Sequence, residues 1–365
     1  MSSPTAARLT IDLNALARNY AVLCAEAPGA EAAPVVKADG YGLDAGRIAR
    51  RLWAEGARAF FVARLAEGEA LRTALGAERP ATIYVLDGFL PGSGPRLVAA
   101  GLTPVLSSLP QIEAASAFGR ASAAPPQVAI QADTGMNRQG LSLEEAAVVA
   151  GSTDRLRGLD LRLIMSHLGS ATSPDDPRNE LQRGRFEQVR RLFPGVRASF
   201  AASAGIMLGT DYRNDIVRPG ISLFGGGPEE RPDPRLEAVA TLEAPILYIR
   251  AVAPGEMVGY GASLIARRPM RIAVVAAGYA DGLIRASRHG GYAWFGGARR
   301  PLVIVNMDLT AIDIGDAPAT IGEYVELLGP NVPIDDAAAA AGTVAHECLV
   351  RLGGGRAERV YLGEV

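Results

Sequence analysis

The sequence predicts an α/β chain with an N-terminal (β/α)8 TIM-like barrel followed by a C-terminal mainly-β domain. Three observations carry this expectation. Short apolar runs alternate with amphipathic stretches of helical length over the first two thirds of the chain, as in parallel βα units. The runs number eight, which suits a closed barrel. After Phe224 the texture changes to a proline- and charge-rich stretch, GGGPEERPDP at 225–234, which reads as a linker.

The eight expected strands are APVVK (33–37), AFFVA (59–63), ATIYVL (81–86), LTPVL (102–106), QVAIQA (127–132), LDLRLIMS (159–166), RASFAA (197–202) and DIVR (215–218). Helices are expected between them, over 44–55, 66–75, 94–100, 109–118, 142–150 and 178–192. Beyond the linker, TLEAPILYIRAV, RIAVVAA, PLVIVNM and EYVELLG are separated by Gly, Pro and Asp turns, as in a small β domain. The segment 335–348 is alanine-rich with an acidic start, so one or two short helices are expected there. The barrel is placed at 10–228 and the β domain at 229–365, with residues 1–9 packing against the latter.

Composition narrows the function classes. With 48% apolar and 21% charged residues the chain is of ordinary globular type, and a formal charge of −2 without a basic stripe speaks against nucleic-acid binding. Cys24 and Cys348 are too few for a disulfide framework, and three histidines do not make a metal cluster by the usual spacings. There is no run of 18 apolar residues and no basic segment leading an apolar one at the start, so no membrane association and a cytoplasmic location are expected.

In such a barrel reactive groups gather at the carboxyl ends of the strands, where the βα loops converge. Lys37 ends the first strand and runs into a turn containing Gly40 and Gly42; residues 133–138 follow the fifth, His167 the sixth and Ser203 the seventh, and Arg218 ends the eighth. A lysine that ends a strand and reaches water is the commoner case. Several strands ending in polar or ionisable residues at one face favour a site.

Seven segments then carry a resemblance across nearly the whole chain: VVKADGYG (35–42), DTGMNRQG (133–140), SHLGSA (166–171), DIVRPGISLFGG (215–226), VGYGAS (258–263), GYADGL (278–283) and NMD (306–308). In this order they resemble the alanine racemases, pyridoxal-phosphate enzymes of fold type III that act as homodimers with shared active sites. The resemblance implies that Lys37 holds the cofactor covalently through its amine and acts as one base once freed. An ordinary lysine, with a pKa of about 10.4, would be protonated at neutral pH, so burial or nearby positive charge must depress it. The resemblance implies Tyr260, from the other subunit, as the second base, since inversion requires proton removal on one face and delivery on the other.

Arg218 is similar to the family arginine that donates to the pyridine nitrogen, with His167 placed to hold it. Arginine has no acceptor and does not give up its proton readily. Phosphate contacts are implied for Tyr41, Ser203 and the main-chain amides of Gly220 and Ile221. Arg138 is implied at the cofactor phenolic oxygen and the substrate carboxylate; the Met307 amide and Tyr279 complete the substrate end from the second subunit, with Asp308 beside them. Four departures stand out. Gln131 replaces a commonly carbamylated lysine and is expected to offer its amide oxygen to Arg138; Ala202 replaces an asparagine; Asn306 replaces a small Cys or Ser; and RLGGGRAERVY has no clear counterpart of a C-terminal phosphate-binding tyrosine, Tyr361 lying too late. Alanine racemisation is therefore the expected activity. A racemase of broader or serine-shifted specificity and a non-catalytic pyridoxal-phosphate carrier are the alternatives.

Overall fold

A computed structural model of the chain describes residues 6–260 and 264–364. The chain divides into two compact units: residues 20–40 and 44–223 form one, and residues up to 19, 41–43 and 224–364 form the other.

The first unit is the expected barrel. Its strands are Glu31–Ala32, Ala59–Val62, Thr82–Val85, Leu102–Leu106, Gln127–Gln131, Asp160–Met165, Arg197–Ala202 and Ile216–Arg218, all in one parallel sheet with the first beside the eighth. A parallel bridge between Val35 and Phe61 closes the ring. The first strand is therefore split, a short ladder at 31–32 and a bridge at Val35, because Pro34 between them has no N–H to donate. Small and large side chains fill the ring together: Ala33, Ala59 and Ala129 sit among Phe61, Tyr84 and Leu163, with the Phe61 and Tyr84 rings stacked at 4.5 Å. Each large apolar side chain buried in this way stabilises the fold by roughly 1.5–3 kcal/mol.

Outer helices Ala45–Ala54, Leu65–Leu75, Gly94–Ala99, Leu109–Arg120, Leu143–Ala150 and Pro177–Leu192 lie close to the expected ranges. Their starts follow from capping chemistry. Ser142 Oγ accepts the Glu145 amide at 3.1 Å while the Glu145 carboxylate accepts the Ser142 amide at 2.9 Å, and Asp176 accepts the Arg178 amide at 2.9 Å. On Pro177–Leu192 the buried residues Asn179, Gln182, Phe186 and Val189 recur at helical spacing, which turns one stripe inward and leaves the charges outside.

The second unit is a β structure with a closed ring of six strands. The 13-residue strand Ala240–Val252 pairs with Tyr324–Leu328 along its first half and with Met270–Val275 along its second. From there the ladder runs through Thr310–Asp313, Ala298–Val305 and Tyr292–Phe295, which meets Tyr324–Leu328 at Trp294 and Glu326. Strands Arg8–Asp12 and Glu358–Leu362 extend the sheet. Arg8–Asp12 joins this sheet with a register from Arg8–Glu243 to Ile11–Ala240, and the compact β unit takes in residues up to 19 and resumes at Phe224. The glycine-rich stretch is built into this unit, where the Gly227 amide donates to Asp335 Oδ2 at 2.8 Å. The expected C-terminal helices are Ile334–Ala341 and Ala345–Gly353. Among the described residues no helix is long and apolar enough to cross a membrane.

Candidate active site

Lys37 follows the split first strand. Main-chain bonds from Ala33 N to Val217 O (2.9 Å) and from Val35 N to Pro219 O (2.8 Å) run this segment alongside Arg218 and Gly220. The chain then makes a left-handed turn: Ala38, Asp39, Gly40 and Tyr41 have φ of 53°, 55°, 65° and 57°. For L-residues other than glycine this conformation costs roughly 1–2 kcal/mol each, so the surroundings must hold it. They do so through hydrogen bonds. The Ala38 amide donates to Glu67 Oε1 at 3.0 Å and the Ala63 amide to Glu67 Oε2 at 2.8 Å, while the Asp39 carboxylate accepts the Ala45 amide at 3.0 Å. Gly40 fits the turn where a side chain would not, since a Cβ there would lie 2.5 Å from Ile48 Cδ1 and 3.0 Å from the Ala45 amide nitrogen. Gly40→Ala is accordingly expected to cost about 1–3 kcal/mol, combining positive φ with overlap. Urea unfolding midpoints check this, and an unchanged midpoint would mean that the turn relaxes freely.

Around this lysine the electrostatics are cationic. Burial, and then the positive charge of Arg138, pull the Lys37 amine below the ordinary lysine range, against a smaller opposing pull from Glu67. Arg218 is only 3% exposed. Its guanidinium donates from Nη1 to Ser199 Oγ at 2.6 Å and from Nη2 to the Ser166 carbonyl at 2.7 Å and the Phe200 carbonyl at 3.3 Å; His167 Nδ1 lies 3.4 Å from Nη2. The same group sits over the Phe61 ring, 5.9 Å from its centroid. Among the described residues no carboxylate pairs with Arg218, and burial pulls its pKa down to about 9. A buried cation with only neutral partners is costly, on the order of several kcal/mol.

Beside Arg218, Ser203 Oγ accepts the Gly220 amide at 2.9 Å and the Ser222 amide at 3.3 Å, at the start of the short helical turn Ile221–Phe224. Both amides donate to the same hydroxyl oxygen, which leaves the Ser203 O–H to donate to an anion. Arg138 is exposed on the loop after the fifth strand, where the Asp133 carboxylate accepts the amides of Gly135 (2.7 Å), Met136 (2.9 Å) and Arg138 (3.1 Å). The Gln131 contact to Arg138 expected from sequence is not made. Gln131 is buried, and its Nε2 donates to the Gln139 carbonyl at 3.0 Å, the acceptor that closes its own loop.

The β unit carries the other residues singled out in the sequence. Tyr41 is buried with its ring 4.9 Å from Phe224 and 5.8 Å from His346, and burial pushes its phenol well above the ordinary tyrosine range. Tyr279 and Met307 are brought together, because the Tyr279 amide donates to the Asn306 carbonyl (2.9 Å) and the Ala280 amide to the Met307 carbonyl (3.0 Å). Gly278 permits this approach, since a Cβ there would overlap both carbonyls. Tyr260 lies 82% exposed between the two-residue strands Met257–Val258 and Leu264–Ile265; the Gly261–Ser263 part of its motif falls outside the described residues.

Comparison with known proteins identifies this arrangement. The family model "Alanine racemase, N-terminal domain" matches residues 11–228, and "Alanine racemase, C-terminal domain" matches residues 239–361. The chain belongs to the alanine racemase family. A catabolic alanine racemase of Agrobacterium fabrum is 42% identical over 94% of this chain and 89% of its own length. An alanine racemase of Methylobacterium sp. is 43% identical over 99% of both chains. Among solved structures, alanine racemase from Bartonella henselae with covalently bound pyridoxal phosphate superposes with a TM-score of 0.91 at 34% identity, covering 98% of this chain and 100% of that one.

Within this alanine racemase scaffold several supporting residues escaped the sequence reading. Ser199 both donates to the Ile216 carbonyl (2.7 Å) and receives Arg218. Gln182 accepts the Gly169 amide at 2.8 Å and donates to the His167 carbonyl at 3.0 Å and to Thr134 Oγ1 at 3.2 Å, joining the loops after the fifth and sixth strands. A polar residue on the inner stripe of a charged helix was the available signal for Gln182. A plainer one concerns Lys37, which is the sole lysine of the 365 residues, every other Lys/Arg position being arginine.

Proposed function

We propose that this chain interconverts L- and D-alanine with pyridoxal phosphate held covalently by Lys37, using Lys37 and Tyr260 as bases on opposite faces of the substrate α-carbon. The observation that carries the reading is the buried, carboxylate-free Arg218 on the strand that pairs with the segment leading to Lys37, whose amine burial and Arg138 depress. The residues fit the cofactor: Arg218 is a buried guanidinium with no carboxylate partner among the described residues, the Lys37 amine is held below the ordinary lysine range, and the Ser203 hydroxyl can donate to a phosphate. Bound there, pyridoxal phosphate supplies the electron sink that makes the α-hydrogen acidic.

The chain's own residues do the rest. Arg218 would donate to the ring nitrogen without surrendering its proton, because a guanidinium is a far weaker acid than a carboxylic acid. Its grip on Ser199, Ser166 and Phe200 fixes its plane, and His167 limits its movement. Tyr41, Ser203 and the amides of Gly220 and Ile221 would hold the phosphate, and Arg138 would orient the substrate carboxylate through its planar fork. Lys37 Nζ removes the α-proton on one face and the Tyr260 hydroxyl delivers one on the other, the two groups exchanging roles for the opposite enantiomer.

In this reading Tyr260, Tyr279 and the Met307 amide come from the second subunit of a cytoplasmic homodimer. Exposed Met257 and Ile265, paired on one small ladder, with exposed Tyr260 beyond the Met257–Val258 strand, support a covered surface there. The test is a chiral product assay with added pyridoxal phosphate across several L-amino acids. Alanine should lose optical purity fastest. Equal or faster turnover of serine would replace the substrate assignment, and no racemisation of any amino acid would remove the activity.

A further inference from the structure

The segment Gly353–Arg356 lies where the sequence reading found no C-terminal tyrosine, and it is packed backbone against backbone. A Cβ on Gly353 would overlap the Gly42 main chain, and one on Gly355 would overlap the Asp281 carbonyl. From the other side, a Cβ on Gly282 would lie 2.5 Å from Leu352 Cα. This close approach delivers Arg356 to two acidic side chains on different loops. Its Nε and Nη2 each lie 3.2 Å from an Asp281 carboxylate oxygen, and Nη2 donates to Asp308 Oδ1 at 2.8 Å. Asp281 is buried and also accepts the Gly278 amide at 2.9 Å, so it shapes the turn that carries Tyr279; Asp308 directly follows Met307. Apart from Arg356, the Tyr279 and Met307 loops are tied by the two main-chain bonds described above.

We infer that Arg356 is a positioning residue for the substrate end of the site, clamping the Tyr279 and Met307 loops together by bridging Asp281 and Asp308. The inference rests on the proposed function for what those loops contact. The clamp orients main-chain and side-chain groups that meet substrate and takes no part in proton transfer, so it acts on binding. Its arginine is more than half exposed and Asp308 equally so, which makes the bridge sensitive to salt.

The test uses the holoenzyme with Arg356→Gln, Arg356→Lys and Asp308→Asn. R356Q should raise KM for both alanine enantiomers about fivefold, the size of an exposed but bridging charge pair, and leave kcat within about twofold. R356K should recover part of the loss, and R356Q combined with D308N should be no worse than R356Q alone. Raising salt from about 0.05 M to about 0.5 M should lift the wild-type KM toward that of R356Q and leave R356Q unmoved. A second measurement does not depend on activity: hydrogen exchange should quicken over 278–283 and 306–309 in R356Q and stay unchanged in the barrel. Unchanged exchange in those two segments overturns the clamp whatever the substrate. Quickened exchange with an unmoved KM overturns the link to substrate alone, and absence of any alanine turnover in the wild type overturns the proposed function and not the clamp.

Discussion

Lys37→Ala should abolish racemisation and the visible absorbance of the bound cofactor together. The fall in rate should reach at least about 10³-fold, the joint loss of a covalent anchor and a general base. The expectation is unusually sharp because no other lysine exists in the chain to take over the aldehyde. Arginine does not substitute chemically, since its delocalised guanidinium offers no free amine to condense with an aldehyde. Borohydride reduction of the wild type should fix one cofactor per chain on the peptide containing residue 37, and reduction of the variant should fix none there. Retained absorbance in Lys37→Ala would remove this lysine from the role. The variant should still fold, since the left-handed turn beyond it is held by Glu67 and Asp39 rather than by the lysine side chain. The sole lysine also means that no carbamylated lysine operates anywhere in this chain. The charge balance near Arg138 is therefore set without one, and Gln131, a neutral amide whose Nε2 donates to the Gln139 carbonyl, brings no negative charge to replace it.

Much of the barrel was legible because parallel strands buried on both faces read as uninterrupted apolar runs, bounded by caps and turns with residue-type signals. Ser142 with Glu145 announces a helix; LTPVL announces a strand even with a proline inside, since Pro104 pairs through its carbonyl side. Edges that pair across the whole length of the chain left no such trace. Arg8–Asp12 and Glu358–Leu362 are neighbours in space and lie at opposite ends of the sequence, and neither segment alone states its partner. Helix Leu13–Glu26 likewise went unread, although Asp12 caps it by accepting the Asn14 amide at 2.8 Å. In the site, glycines 40 and 42 signalled a turn and Asp39 is a type that tolerates positive φ, but positive φ at Ala38 and Tyr41 carries no residue-type signature. Arg218 was visible as a strand-end arginine. That it is buried without a carboxylate could be learned only from what surrounds it.

Tyr260→Phe is the second large effect, and equilibrium dictates where to look for it. L- and D-alanine have equal free energy, so kcat/KM for net racemisation must fall by the same factor in both directions. A loss of about 10²–10⁴-fold is expected for removal of a general acid–base group. The asymmetry between the faces belongs to exchange of the α-hydrogen with solvent deuterium. Lys37 Nζ still reaches one face in the variant, so one enantiomer should go on exchanging with retention of configuration while exchange in the other collapses. Cofactor absorbance should be unchanged, because Tyr260 lies outside the barrel unit that carries Lys37 and Arg218. Symmetric or negligible effects on exchange would remove Tyr260 from the base role. Exposure adds a condition to this role: Tyr260 is 82% exposed in a single chain, where water can compete for its proton and screen its charge. A working base at this position must be covered, and in the proposed homodimer the covering surface is another copy of the chain. Specific activity of the wild type should therefore fall on dilution through the dissociation range of the dimer. Residual activity of the dilute enzyme should resemble Tyr260→Phe, with one-sided exchange outlasting net racemisation, since both conditions leave Lys37 without its opposing group.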